Sequence, residues 1–180
     1  EKKVHKPLIV ELPYPEIDDI KEDKVTALIL SRAYSGLHSE LSAILQYVYH
    51  HYYLDKLGEH ENAKTLIKIS IAEMMHLSML GETLLKLGLD PRYINYTPLF
   101  SEYYSAKKLS YSTQKDKMLL DNISSELVAI EQYKDIIDRI SNQKVQALLS
   151  RIILDEELHV KVLKELLEEY WRLLKEKESA

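Results

Sequence analysis

Residues 39–47 decide the fold of this chain: they read SELSAILQY and return almost unchanged as residues 125–133, SELVAIEQY. Seven of the nine positions are identical. In each copy a lone glutamate, Glu40 or Glu126, lies among apolar residues at helical spacing, which places it on the inner face of an amphipathic helix. The repeat therefore predicts two related halves around an approximate two-fold axis.

Each copy is followed by the spacing Glu-x-x-His. Glu73-Met-Met-His76 begins 33 residues after the first glutamate, and Glu156-Glu-Leu-His159 begins 30 residues after the second. Residues three apart lie on one face of a helix, about 5–6 Å apart at Cβ, so a carboxylate and an imidazole can bind the same ion. A single Glu-x-x-His is expected about once by chance in a chain with seven histidines, so the repetition carries the signal.

Four long segments have apolar residues at steps of three and four, which predicts four helices. Short links predict two antiparallel hairpins, whereas residues 89–112 form one long connection. That connection can reach about 80 Å, and a helix of roughly 30 residues is only about 45 Å long. We therefore expect an all-α four-helix bundle with one long crossover between helices 2 and 3. The predicted helices are residues 23–57, 59–87, 114–140 and 142–175, with Gly58 and Gly88 as stops.

Residues 1–22 precede the first helix and are interpreted as an extended N-terminal arm. Pro7, Pro13 and Pro15 disfavour helix at and before their own positions. The helical bundle is then assigned to residues 23–176. The leading apolar run is too short for a signal peptide, and no apolar run reaches the roughly 18 residues of a membrane span. A cytoplasmic protein that does not enter a membrane is expected.

Composition excludes several classes of protein. With 180 residues, of which 46% are hydrophobic, the chain suits one soluble domain with a hydrophobic core. Its formal net charge is −5 with both signs interspersed, so no basic stripe marks a nucleic-acid surface. The absence of cysteine excludes disulfides, thiolate metal sites and redox thiols.

Glutamates and histidines fall together on the inner faces of the predicted helices. Burying a carboxylate without a partner costs several kcal/mol, and no lysine or arginine lies on these faces at the same levels. The alternatives without a metal are core histidines whose hydrogen bonds are satisfied by other groups, and glutamates on a helix face exposed to solvent. The repetition instead favours two divalent metal ions, whose charges cancel those of the carboxylates. The predicted ligands are Glu40, Glu73, His76, Glu126, Glu156 and His159.

Three further polar residues have two interpretations each. Tyr47 and Tyr133 follow seven residues after the lone glutamates. They either hydrogen-bond a ligand carboxylate and supply protons, or they are core tyrosines. Asp155 either orients His76 through its second ring nitrogen, as outer carboxylates do in many metal sites, or it lies on the surface.

These residues resemble the ferritin-like superfamily and, within it, the small manganese catalases of the spore-coat type. The resemblance covers most of the chain. It implies a ferritin-like four-helix bundle and a di-metal oxidoreductase, with manganese or iron, that converts hydrogen peroxide to water and dioxygen. The motifs that carry it are residues 12–16 (LPYPE), 39–44 (SELSAI), 73–77 (EMMHL) and 155–159 (DEELH).

The resemblance also implies roles for individual residues. Glu73 and Glu126 are expected to bridge the metals, with Glu40 as a terminal ligand. Glu156 is expected either to bind metal or to carry protons. Glu156 and Tyr47 are accordingly the candidate catalytic residues.

Other functions compete with a catalase. Rubrerythrins usually carry an additional glutamate on the third helix, where this chain has Ile123 and Ala129, and a cysteine-ligated iron domain. Ferritins and bacterioferritins share the order of ligands and oxidise iron, and the same ligands suit manganese and iron. The alternative of another class is a structural coat protein with a vestigial metal site. A homo-oligomer, a peroxide or dioxygen substrate, and a cytoplasmic or spore-coat location complete the expectations.

Overall fold

Five α-helices carry the fold in the part of the chain that the structure describes. The computed structural model of the chain describes residues 5–97 and 99–179. The first two helices lie one after the other along the third, so together they fill one of the four helix positions of the bundle. The prediction of an all-α four-helix bundle with one long crossover is confirmed. The helices are α1 (Lys24–Ser35), α2 (Glu40–Lys56), α3 (His60–Lys86), α4 (Lys115–Arg139) and α5 (Gln143–Glu178).

The prediction of one continuous helix over residues 23–57 is wrong, because the chain breaks at residues 36–39. At Gly36 a Cβ atom would lie 2.5 Å from the carbonyl oxygen of Arg32, so only glycine fits this close turn. Ser39 then caps α2 by accepting from the Ser42 backbone N–H at 3.3 Å. Leu37, which the apolar spacing places on the inner face, is 43% exposed in the break.

The other helix ends fall within a few residues of the predicted bounds. Gly58 and Gly88, the predicted stops, have φ values of +81° and +89°, the left-handed conformation that commonly ends a helix. Asn142 caps α5 by accepting from the backbone N–H groups of Lys144 and Val145, each at 3.1 Å. Short turns therefore join α2 to α3 and α4 to α5 as helical hairpins.

The crossover between α3 and α4 contains structure that the sequence analysis did not predict. Strands β1 (Ile94–Tyr96) and β2 (Ser101–Tyr103) pair antiparallel, with Ile94 opposite Tyr103, and a 3₁₀ turn covers Ala106–Lys108. The strands are tied to the end of α1, where Ser35 Oγ donates to the Ile94 carbonyl at 2.9 Å. Further along, the Ser110 N–H donates to Gln46 Oε1 at 2.8 Å. The crossover thus follows the bundle surface closely.

Two hydrophobic clusters fill the bundle, one on each side of a polar layer. The first joins α1 to the C-terminal halves of α3 and α4 and to the first half of α5, and it includes Leu30, Leu84 and Leu149. The second joins α2 to the other halves, and it includes Leu54 and Leu66. Full burial of one such leucine contributes about 1.5–3 kcal/mol. This packing on both sides holds the polar layer in place.

The N-terminal arm lies along the bundle without helix or strand over residues 5–23; residues 1–4 of the predicted arm lie outside the described part of the chain. The Leu8 N–H donates to the Lys68 carbonyl on α3 at 3.0 Å. On α5, Arg151 donates to the carbonyls of Val10 and Leu12. Among the described helices, none has a stretch long and apolar enough to cross a membrane.

Candidate metal centre

The bundle brings together all six residues that the sequence predicts to be metal ligands. Glu40 is in the first turn of α2, because the break at residues 36–39 makes it the first helical residue. Helices α3 and α5 each contribute a glutamate and a histidine one turn apart, and α4 contributes Glu126. Every one of the six side chains is buried, with at most 4% of its surface exposed.

The six residues form two overlapping groups, each with four possible ligand atoms within 4.8 Å of one another. Two carboxylates, Glu73 and Glu156, belong to both groups. The expectation that Glu73 and Glu126 bridge two metal ions stays a prediction; in these groups Glu126 belongs to the second alone. The first group is Glu40, Glu73, His76 and Glu156; the second is Glu73, Glu126, Glu156 and His159.

Both histidines turn Nδ1 toward the carboxylates. His76 Nδ1 lies 3.1 Å from Glu73 Oε2 and 3.4 Å from Glu156 Oε1. His159 Nδ1 lies 3.0 Å from Glu73 Oε1 and 3.1 Å from Glu156 Oε2. In each ring Nε2 faces an outer acceptor, so the neutral imidazole that donates through Nε2 keeps its Nδ1 lone pair toward the centre. That is the tautomer that a metal ion requires.

The outer acceptor of His76 is Asp155, whose Oδ2 lies 3.0 Å from His76 Nε2. The interpretation of Asp155 as the residue that orients His76 is confirmed, and the surface alternative is wrong, since the carboxylate is fully buried. Tyr14 Oη, the Val10 N–H and Arg151 Nη1 donate to the same carboxylate at 2.5, 2.8 and 2.8 Å. Burial alone would raise the pKa of Asp155, but these hydrogen bonds and the one from His76 lower it to about 2.

The outer acceptor of His159 is different. Its Nε2 lies 2.8 Å from the backbone carbonyl oxygen of Leu8 in the N-terminal arm. A neutral carbonyl is a weaker acceptor than a carboxylate. The two imidazoles therefore occupy similar inner positions with unequal outer partners.

The two tyrosines of the repeat bond across the bundle. Tyr47 Oη on α2 donates to Glu126 Oε1 on α4, and Tyr133 Oη on α4 donates to Glu40 Oε1 on α2. Burial, followed by the charge of the carboxylate that each tyrosine contacts, raises both tyrosine pKa values well above the ordinary value. Both hydroxyls therefore stay protonated and act as donors to a candidate ligand.

The charges of the centre do not balance within the protein. In the part of the chain that the structure describes, the four glutamates form ion pairs only with the two histidines. Burial, and then the charge of Glu156, raises the pKa of Glu73 well above its usual range and that of Glu126 to about 7. Burial also opposes the charged form of Glu156, but the nearby imidazoles lower its pKa.

The donor set fits metal ions. Four carboxylates and two imidazoles are oxygen and nitrogen ligands, which suit first-row divalent ions. Glu73 Oε1 is buried and accepts no well-aligned hydrogen bond from the described residues, although His159 Nδ1 lies 3.0 Å away. An unsatisfied carboxylate oxygen inside a protein is costly unless a cation meets it. Two divalent ions would supply four positive charges at this point.

A cavity of about 40 Å³ lies over the carboxylates. It is more than the roughly 10–15 Å³ that one water needs, and it admits a molecule of two or three heavy atoms. Its rim includes the exposed residues Leu37 and His38 of the helix break. Tyr133 lines the cavity, whereas Tyr47 is not among its lining residues. The break between α1 and α2 thus gives the polar layer an opening on one side.

Some residues around the centre were not predicted from the sequence. The sequence analysis selected Tyr47 as a candidate catalytic residue, yet the cavity places Tyr133 nearer to a small molecule; the repeat itself was the signal for Tyr133. The contact of Tyr14 with Asp155 had no comparable signal, because the two residues lie 141 positions apart along the chain.

Comparison with known proteins agrees with this fold. The family model of the ferritin-like domain matches residues 35–173, whereas no curated protein sequence matches significantly. KatB, a manganese catalase from Anabaena, is 20% identical with a TM-score of 0.77, over 91% of this chain and 80% of that one. A bacterioferritin of Rhodobacter capsulatus, solved with a metal-free dinuclear site and haem iron, is 25% identical with a TM-score of 0.68, over 85% of this chain and 89% of that one.

Proposed function

The chain belongs to the ferritin-like domain family, and from that membership we propose that it is a di-metal oxidoreductase that disproportionates hydrogen peroxide to water and dioxygen. The observation that carries the proposal is the pair of four-ligand groups that share Glu73 and Glu156. These groups lie beneath a cavity that admits only a very small molecule. A shared pair of carboxylates is the arrangement that holds two metal ions side by side in such bundles.

Each metal ion would have its own terminal ligands. Glu40 and His76 would hold one ion, Glu126 and His159 would hold the other, and Glu73 and Glu156 would bridge them. The position of Glu156 in both groups favours metal binding over the proton-carrying role. Manganese and iron both accept these ligands, and manganese is proposed because the activity of the structural neighbour KatB is that of a manganese catalase.

The chemistry that a bound metal pair supplies is electron transfer: one peroxide is reduced to two waters, and a second is oxidised to dioxygen. The reduction consumes two protons and the oxidation releases two, so the protein must hold protons beside the substrate. Tyr133 is suited to this role, because it is one of the residues that line the cavity and its hydroxyl donates to Glu40 Oε1. Tyr47, which donates to Glu126 Oε1, would hold a second proton one step further from the cavity.

The buried setting supports the same reaction. The carboxylates are almost completely shielded from water, so charges near the substrate act at low dielectric. The opening beside His38 admits peroxide but excludes organic substrates with bulky groups. A small substrate of this kind needs no binding pocket of its own beyond the metal centre.

Oxygen evolution tests the proposal. Metal-free protein loaded with Mn(II) should retain two ions per chain, counted by mass spectrometry of the metal, and should release dioxygen from hydrogen peroxide at an oxygen electrode. The Glu73→Gln variant, prepared in the same way, is the matched control without a complete centre. Protein that holds two manganese ions and releases no more oxygen than this variant would refute the catalase function.

Iron oxidation is the second candidate, because the bacterioferritin neighbour also carries a dinuclear site. Addition of Fe(II) to metal-free protein, followed by absorbance of Fe(III), distinguishes the two. Faster turnover of Fe(II) than of peroxide would favour iron oxidation. A bundle that folds but binds neither metal would favour the structural coat protein. The homo-oligomer and the cytoplasmic or spore-coat location stay predictions.

A further inference from the structure

We infer that the N-terminal arm, through residues 8–14, positions both candidate histidine ligands and thereby sets the affinity of the centre for metal. The inference rests on the proposed di-metal function. It concerns a segment outside the duplicated hairpins, which contributes no ligand of its own. Its residues supply the outer partner of His159 and contact Asp155, the outer partner of His76.

On the His76 side the arm contacts Asp155 twice. The Val10 N–H donates to Oδ1 at 2.8 Å and Tyr14 Oη donates to Oδ2 at 2.5 Å. Oδ2 is the same oxygen that faces His76 Nε2 at 3.0 Å. The Tyr14 ring also meets the His76 ring edge to face, with centroids 6.3 Å apart. The arm therefore restrains both the carboxylate and the ring that it orients.

On the His159 side the arm is the acceptor itself. The Leu8 carbonyl oxygen lies 2.8 Å from His159 Nε2. The Leu8 N–H donates to the Lys68 carbonyl at 3.0 Å, which fixes the peptide group next to the one that meets the imidazole. One segment of seven residues therefore contacts His159 Nε2 directly and supports His76 Nε2 through Asp155.

The arm is held by a buried arginine rather than by loose packing. Arg151 Nη2 donates to the carbonyls of Val10 and Leu12, each at 2.8 Å. Its guanidinium lies 4.2 Å from the centroid of the Tyr14 ring, within range of a cation–π interaction. Arg151 is only 6% exposed and also contacts Asp155. The arm, Arg151 and Asp155 thus form one network behind the histidines.

Metal affinity of arm variants tests the inference. Tyr14→Phe removes the hydroxyl but keeps the ring over Arg151, and Tyr14→Ala removes both. Loss of an outer partner of a ligand typically weakens metal binding about 10–100-fold. Tyr14 holds such a partner, Asp155, so the Mn(II) dissociation constant should rise by the lower end of that range, about tenfold, in Tyr14→Phe and further in Tyr14→Ala. Tyr34→Phe is the matched control, since Tyr34 Oη donates to the Pro91 carbonyl at 2.9 Å, away from the centre.

A second measurement separates positioning from general stability. If the arm strengthens metal binding, metal must stabilise the docked arm by the same factor. Hydrogen exchange of the Val10 amide should therefore slow when Mn(II) is added, whereas exchange of the strands β1 and β2 should not change. Thermal unfolding of each metal-free variant shows whether it still folds.

The outcomes are distinguishable. Two Mn(II) ions per chain in the natural protein, with unchanged dissociation constants in both Tyr14 variants, would overturn the role of the arm alone. A lower melting temperature with unchanged affinity would do the same, because it marks a merely structural arm. Natural protein that binds no metal would overturn this inference together with the proposed function.

Discussion

The hairpin of α2 and α3 and the hairpin of α4 and α5 offer the same inner residues and different surroundings. Each contributes a lone glutamate, a Glu-x-x-His pair and a tyrosine that bonds to the other hairpin. The two hairpins differ in the groups that the outer ring nitrogens of their histidines contact. His76 meets the carboxylate of Asp155, whereas His159 meets the Leu8 carbonyl. The repeated sequence sets the candidate ligands, and the unrepeated segments set what supports them.

The same contrast holds at the cavity. Ser39 and Ser125 occupy equivalent places in the repeat, yet Ser39 begins a helix and Ser125 lies within one. Only the first hairpin is preceded by a break, and the cavity reaches the surface there. Substrate would therefore approach the centre from the side of α2, although the ligands are arranged almost symmetrically.

The largest expected effect separates shared from terminal carboxylates. Glu156→Gln should remove both metal ions, because Glu156 belongs to both ligand groups, whereas Glu126→Gln should remove one. The measurement is the number of Mn(II) ions per chain after dialysis. Glu157→Gln is the control, since Glu157 is the exposed neighbour of Glu156. If Glu126→Gln lost both ions and Glu156→Gln kept two, Glu126 would be the bridging residue after all.

A smaller effect is expected from the tyrosines. Tyr133→Phe should lower kcat for peroxide about 100-fold, the low end of typical acid–base contributions, because Tyr133 lines the cavity. Tyr47→Phe should lower kcat less than about tenfold, since a proton there is one step removed. Both variants should keep two metals per chain. Equal losses of kcat in the two variants would mean that the cavity does not distinguish the halves.

The unequal outer partners predict a loss confined to one ion. The position equivalent to Asp155 in the first hairpin is Ala72, so no second carboxylate compensates for it. Asp155→Asn should weaken the ion beside His76 about 10–100-fold and leave the ion beside His159 with its affinity nearly unchanged. A titration with Mn(II) should then show two separated steps. A parallel weakening of both steps would show that Asp155 acts on the whole layer.

The sequence was enough for the fold class and for the six inner residues, because repetition and helical spacing act within single helices. Glu73 and His76, for example, are one turn apart on any helix. The spacing was not enough for the sharing of Glu156, since that depends on how far α5 is rotated relative to α3. Spacing shows which face a residue is on, and packing decides which ions it can reach.

The break at Gly36 and the docking of the N-terminal arm could not be predicted from the sequence, for different physical reasons. Apolar spacing continues across residues 36–39 as if the helix did, and only the close approach to the Arg32 carbonyl distinguishes the turn. The Leu8 carbonyl contacts His159 and the Tyr14 hydroxyl contacts Asp155, in both cases across more than 140 positions of the chain. Neither leaves a periodic pattern.

The smallest expected effect tests whether equivalent serines differ as their surroundings do. Ser39→Ala should lower the free energy of unfolding of the metal-free protein by about 1 kcal/mol, because it removes the cap of α2. Ser125→Ala should change it by less than about 0.5 kcal/mol, since Ser125 bonds back to the Asp121 carbonyl within its helix. The Gln46 amide that donates to Ser125 Oγ at 3.2 Å keeps its shorter bond to Asn122 in the variant. Urea denaturation of both variants measures the difference. Equal losses would mean that α1 and α2 behave as one helix in solution, and the opening of the cavity at residues 36–39 would then lose its structural basis.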